Sequence, residues 1–281
     1  MAYKVFSVGT SKEKRIMQRL SEHLEAVGGV HPEWVGIFLQ GSQNYNLDYE
    51  GSDVDTKLIV LPSFDDFALN RKPYSYTHVM ENNEHVDVKD IRLMFDCFRK
   101  QNINFVEILF TKYFILNPKY AELFQPVLDA RERIGHYNNY AALNCMVGMA
   151  LEKQKALCHP YPATMHKIEK YGFDGKQLCH INRIDEFQQR WRAGVPYAEC
   201  LITLQRDRLM GNKLHTNCNL ESAVAEADEV TKRLKEMKQE YMTTHPIQID
   251  SGVDDILNNT LLTLFKHSFL SEISTADGGM I

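Results

Sequence analysis

Gly36-Ile-Phe-Leu-Gln-Gly41-Ser42-Gln-Asn-Tyr-Asn-Leu-Asp-Tyr-Glu-Gly51-Ser52-Asp53-Val54-Asp55 is the stretch that decides the fold of this 281-residue chain. The apolar run Trp34–Gln40 reads as a strand that ends at Gly41. A second strand is expected from Asp53 to Leu61, fully apolar over Leu58 to Val60 and closed by Pro62. Side chains two apart on a strand share a face, with α-carbons roughly 6.6–7 Å apart. Asp53 and Asp55 therefore present two carboxylates side by side, while Val54 turns into the core. The ten residues between Ser42 and Asp53 leave room for a short helix, started by Ser42, and a return turn at Tyr49-Glu50-Gly51.

Two like charges this close are costly unless a cation lies between them. Hard divalent cations such as Mg²⁺ or Mn²⁺ take oxygen ligands, commonly a few carboxylates together with substrate phosphates. A metal ion is thus the natural reason for Asp53 and Asp55. Gly41 lets the backbone approach a ligand, and Ser42 at the start of the next turn adds amides and a hydroxyl that suit a phosphate.

On the N-terminal side, Ser11 to Val27 reads as an amphipathic helix with Ser11 as its cap, Ile16, Leu20, Leu24 and Val27 on one face, and Gly28-Gly29 as its stop. A third strand is expected at His85 to Val88 after the polar turn Glu81 to Glu84. Val86 and Val88 alternate with Asp87, while Asp90 is placed to cap the helix that starts at Ile91. Helical spacing continues through Val106 to Phe110, with a break at Asn102 to Asn104. Beyond Asn117-Pro118 strand signals all but vanish. Tyr120 to Leu128, Asn138 to Ala156, Gly175 to Trp191 and Asn219 to Tyr241 all carry helical spacing. Leu220, Ala223, Ala227, Val230, Leu234, Met237 and Tyr241 line one face of the last. The expected architecture is α+β: a small mixed-sheet domain over 1–116, then an all-helical domain over 117–281 that closes the cleft. Thr275 to Ile281 read as a frayed end.

Hydrophobic residues make up 44% and charged residues 25%, which suits a globular chain with a sizeable core. No apolar run approaches the roughly 18 residues of a membrane span, and no signal peptide is legible, so a cytoplasmic protein without membrane contact is expected. Six cysteines lack any C-x-x-C pair, and most of them read as buried thiols that pack as small hydrophobes. A net charge of −5 argues against a protein that coats nucleic acid along its length.

The second constellation is Tyr171-Gly-Phe-Asp174-Gly-Lys176-Gln-Leu-Cys-His180-Ile-Asn-Arg183. With Asp174 or Gly175 as cap, Lys176, His180 and Arg183 fall at i, i+4 and i+7 on one stripe. Three cationic side chains in a row make sense facing phosphate or carboxylate; a solvated helix face is the plain alternative.

Apolar strand, Gly-Ser, a gap and then Asp-x-Asp resembles the nucleotidyltransferase signature of the DNA polymerase β superfamily. The chain is especially similar to the YcgL-like group of bacterial and phage nucleotidyltransferases, over most of the first 110 residues and again over 171–183. It departs from that group after Gly-Ser, where Gln43-Asn-Tyr-Asn46 stands in place of an Arg-x-x-Gly-type stretch. The resemblance implies metal-dependent transfer of a nucleoside monophosphate from a nucleoside triphosphate to an acceptor (RNA, protein or a small molecule), releasing pyrophosphate. It implies two Mg²⁺ or Mn²⁺ ions bridged by Asp53 and Asp55, with a third carboxylate, Asp87 ahead of Asp90, completing one site as ligand or serving as base. It further implies that Gly41 and Ser42 meet the phosphates, that Lys176 and Arg183 grip the triphosphate, and that His180 touches the acceptor or carries a proton. Glu107 is expected near the site in a structural role. Since a fold does not imply activity, the alternative is a catalytically inactive, nucleotide- or RNA-binding regulatory protein on the same scaffold.

Overall fold

The structure, a computed structural model, describes residues 10–31 and 33–277. Helix α1 (Ser11–Gly28) starts at a capping box, in which the Thr10 hydroxyl accepts the Glu13 amide and the Glu13 carboxylate accepts the Thr10 amide. The cap is Thr10, not Ser11 as expected: Thr10 keeps an extended backbone, whereas Ser11 is already helical. The chain continues through β1 (Trp34–Gln40), a 3-10 turn over Ser42–Tyr45, β2 (Asp55–Val60), α2 (Phe64–Ala68), β3 (Ser75–Val79) and β4 (His85–Asp90). Next come α3 (Ile91–Arg99), α4 (Ile103–Val106), a second 3-10 turn over Glu107–Phe110 and β5 (Phe114–Leu116). The rest is helical: α5 (Ala121–Asp129), α6 (Arg131–Gly135), α7 (Asn139–Ala156), α8 (Met165–Tyr171), α9 (Gly175–Arg192), α10 (Tyr197–Leu201), α11 (Arg206–Lys213), α12 (Leu220–Thr244) and α13 (Ser251–Asp277).

The sheet runs β3-β4-β2-β1-β5, with β2 and β4 parallel and the other pairs antiparallel. This is the expected α+β fold with a mixed sheet. Period-two alternation divides its residues between two environments. One face, with Ile37, Leu58, Val60, Val86 and Val88, packs with Val27 of α1. The opposite face carries Phe38 and Ile59, which join a core that runs through Phe98 and Phe124 to Leu143, Phe187 and Leu234 in the helices. Asp55, Lys57 and Asp87 share that second face: Lys57 stands opposite Phe38 on β1 and beside Asp87 on β4. Polar residues here occupy the end of a face whose remainder is core.

Several expectations shift. β2 begins at Asp55, leaving Asp53 just ahead of the strand, and β4 extends to Asp90. β3 is largely exposed at the sheet edge and carries no alternating pattern, while β5 is only three residues long. α13, at 27 residues, has no expected counterpart. Its buried stripe, Val253, Leu257, Thr260, Leu264 and Ser268, mixes polar with apolar residues, whereas Leu262, Leu270 and Ile273 are exposed. The expected frayed end splits: 275–277 close α13, and 278–281 lie outside the described residues. Leu220, expected on the apolar face of α12, is exposed, and that face buries Ala223, Ala227, Val230, Thr231 and Leu234. All six cysteines are free thiols; Cys179 and Cys200 are buried, Cys158 is exposed, and the others are intermediate. Among the described residues no helix is long and apolar enough to cross a membrane.

Candidate active site

Val54 anchors the two aspartates. Its side chain is fully buried with Ile16, Leu20 and Leu39, and its amide donates to Glu84 Oε1 at 3.0 Å. Glu84 is itself buried, accepts Arg19 Nε at 2.6 Å and pairs with His23 Nε2 at 3.1 Å. Burial alone would raise the Glu84 carboxyl, but hydrogen bonding with Asn82, the Val54 amide and Arg19 outweighs it and holds the group below its ordinary value. The backbone between Asp53 and Asp55 is therefore clamped from the α1 side; Asp55 lines a cavity on the opposite face, and Asp53 is exposed just ahead of the strand.

Asp53 is exposed, and Gln43 Nε2 donates to its carbonyl at 3.1 Å, which ties the turn after Gly-Ser to the Asp-x-Asp stretch. Asp55 Oδ1 accepts the His85 amide at 2.9 Å and lies 3.1 Å from His85 Nδ1. The return turn falls at Tyr49-Glu50-Gly51, where Gly51 takes φ 86°. Asp90 fills its expected role: it caps α3, accepting the Arg92 amide at 2.9 Å.

Gly41 sits at φ 89° and ψ −154°, a region only glycine enters without strain, and a Cβ there would meet nothing within 4 Å. The open side fits close approach of a ligand. The Gly41 amide, though, is already committed to Glu107 Oε1 at 3.0 Å, so it is not free for a phosphate. The turn that Ser42 starts is a four-residue 3-10 segment, too short to focus a helix dipole. Glu107 is thus more than packing: it sets the orientation of the Gln40-Gly41 peptide.

Burial pushes the Glu107 carboxyl up to about 8, against the opposing pull of Arg183 and of its hydrogen bond from Gly41. Because this value lies above that of the unfolded chain, the proton stabilises the fold below about 4.5, and the contribution is lost as pH rises towards about 8. The wild type is expected to lose about 1–3 kcal/mol more stability than Glu107→Gln across that window, within the linkage limit of about 1.4 kcal/mol per pH unit. Urea midpoints of both proteins from pH 5 to 8 check this; parallel curves would refute it.

A cavity of about 260 Å³ lies between the sheet and α9, lined by Gln40, Gly41, Tyr45, Asp55, Lys57, Asp87, Asn104, Phe105, Glu107 and His180. Lys57, which the sequence reading passed over, is 2% exposed. Its ammonium contacts the Asp87 carboxylate and lies 4.1 Å from the centre of the Phe105 ring. Lys89 Nζ stands 3.7 Å from the other Asp87 oxygen. Burial lowers the Lys57 pKa and the Asp87 charge opposes that shift. The signal for Lys57 was available: it is two residues beyond Asp55 and so on the same face.

The stripe on α9 takes Asp174 as its cap. Its three residues do not face one environment. Lys176 is exposed, His180 lines the cavity, and Arg183 is buried with its guanidinium 3.7 Å from the Tyr45 ring centre. Burial pushes the His180 pKa well below its ordinary value, and Arg183, Lys176, Lys153 and Lys213 push the same way, which disfavours the charged form of the ring. Arg183 Nε and Nη1 and Glu107 Oε2 are buried without hydrogen-bond partners in the structure. The cavity therefore has an acidic lip at Asp55 and a wall with a cationic field behind it.

The donor set is suited to one divalent cation more than to two. Among the described residues Asp53 makes no ion pair and Asp55 keeps one oxygen without a hydrogen bond, which leaves hard oxygen donors uncommitted. Asp87 does not fit the ligand role expected for it, because Lys57 and Lys89 already compensate its charge. Among the described residues no three His, Cys, Asp or Glu side chains are grouped to hold an ion.

No protein-family model matches the chain, and no curated protein matches it. Among solved structures it is similar to a nucleotidyltransferase-like protein from Exiguobacterium sibiricum 255-15, at 10% identity and a TM-score of 0.28, over 80% of this chain and 75% of that one.

Proposed function

We propose that the chain is a nucleotidyltransferase, allied to the YcgL-like group, that moves a nucleoside monophosphate from a nucleoside triphosphate to an acceptor. One observation carries the reading: the glycine-serine turn is tied by Gln43 to the Asp-x-Asp stretch, and Gly41 and Asp55 open onto one cavity backed by cations. In the reaction an acceptor oxygen bonds to the α-phosphorus as the bond to the β-phosphate oxygen breaks. Pyrophosphate leaves with that electron pair, and the acceptor proton passes to solvent. Asp53 and Asp55 would hold a Mg²⁺ or Mn²⁺ ion, which when bound supplies positive charge to the phosphate oxygens of an in-line displacement. The open side of Gly41 admits the phosphates, Ser42 lies next to them, and Lys176 and Arg183 add attraction for the triphosphate. His180, which lines the cavity, serves as a hydrogen-bonding contact for the acceptor. The acceptor itself, RNA or another molecule, is to be found by labelling.

The test is incubation with each α-³²P nucleoside triphosphate, Mg²⁺ or Mn²⁺, and separate pools of RNA, DNA, protein and metabolites. Transfer of label to one pool is expected and identifies the acceptor class. The compensated charge of Asp87 favours a second reading, a binding protein on the same scaffold. Metal-dependent triphosphate binding with no transfer to any pool would select it.

A further inference from the structure

We infer that the site is built for one metal ion, not two, and that Lys57, held by Asp87, supplies the second positive charge of the cavity as a direct contact to the triphosphate. The inference rests on the nucleotidyl-transfer reading and deepens it.

Three observations carry it. First, Asp87 is the neighbouring-strand carboxylate that a second ion would need, and Lys57 Nζ occupies its open side while Lys89 stands 3.7 Å from its other oxygen. An ion brought to Asp87 would be pressed against an ammonium of the same sign. Second, Lys57 has nowhere to retreat. It is 2% exposed and packed against Phe105, in the middle of β2 between its pairings with Phe38 and Asp87. Third, its donors are not used up. An ammonium has three N–H groups, and among the described residues Asp87 is the one hydrogen-bond partner of Lys57, which also lines the cavity. A buried cation beside a cavity, with donors to spare, is placed to receive a phosphate oxygen as a point charge. The acidic pair and the ammonium then divide the work: Asp53 and Asp55 meet the triphosphate through one ion, and Lys57 meets it directly.

The test counts ions on the full chain, with no turnover required. Mn²⁺ is titrated into the wild type with a saturating α,β-methylene triphosphate, and free Mn²⁺ is read by electron paramagnetic resonance. One ion per chain is expected. Its affinity should fall by more than about ten-fold in Asp55→Asn and stay within about two-fold in Asp87→Asn. Lys57→Gln, checked for folding by circular dichroism, should leave the count at one and weaken binding of the methylene analogue by about ten-fold, as for loss of a charge-assisted contact. Two ions on the wild type, or a ten-fold loss in Asp87→Asn, would overturn the inference while leaving nucleotidyl transfer standing. Unchanged analogue affinity in folded Lys57→Gln would overturn the role of Lys57. No analogue bound at all would remove the nucleotidyl-transfer reading and this inference with it. The wild-type count depends on no variant folding.

Discussion

Asp53→Ala is expected to abolish label transfer without moving the unfolding midpoint. Losing a ligand to a transition-state cation removes several kcal/mol of charge stabilisation, which at about 1.4 kcal/mol per decade is a rate loss of roughly a thousand-fold or more. Asp53 itself is exposed and among the described residues makes no ion pair or side-chain hydrogen bond, so its removal belongs with surface changes of within about ±0.5 kcal/mol. Asp55→Ala should match the catalytic loss and add a small structural one, because His85 loses the acceptor for its amide. Full transfer by Asp53→Ala would end the assignment of the Asp-x-Asp stretch as the reacting centre.

Asp87→Ala is expected to fail for a different reason: the protein should lose about 3–5 kcal/mol of stability, the cost of breaking a buried ion pair by removing one partner. What remains is the Lys57 ammonium, 2% exposed, with Phe105 beside it and no hydrogen-bond partner. The double variant Lys57→Met/Asp87→Ala removes the orphaned charge and leaves an unbranched apolar side chain under Phe105, so most of the loss should be regained. Urea denaturation of the two single variants and the double closes the cycle. A single-variant loss below about 1 kcal/mol, or no recovery in the double, would show that Asp87 is not chiefly the counter-ion of Lys57. The two aspartate variants thus separate a residue that serves chemistry from one that holds a charge in place.

Local signals were legible wherever one residue type in one pattern sufficed. β1, the caps Asp90, Asp174 and Asn219, the return turn at Gly51 and the long runs α7, α9 and α12 could all be read because cap chemistry and apolar spacing act over a few residues. β3, β5 and α13 could not. β3 is an exposed edge strand without alternation, placed by its hairpin with β4, whereas β5 takes its place by pairing with β1 and α13 by packing on α5, partners remote in the chain.

The candidate site divides along the same line. The amino-acid sequence by itself determined that Val54 turns inward beside Asp55, that a glycine-serine turn precedes them, and that Asp87 lies on a strand of its own. Strand alternation alone dictates the first of these, and the other two are local patterns. Only the tertiary structure decided which charges meet. The parallel register of β2 with β4 puts Lys57, not a free space, beside Asp87. The fold of the turn over Glu107–Phe110 sends a buried carboxylate to the Gly41 amide 66 residues away. The packing of α9 turns Arg183 into the core over Tyr45 and leaves Lys176 in solvent, although all three cationic positions share one stripe. Side-chain direction is a local property, whereas charge compensation depends on what a neighbouring element brings within a few ångströms, and that is set by register and packing.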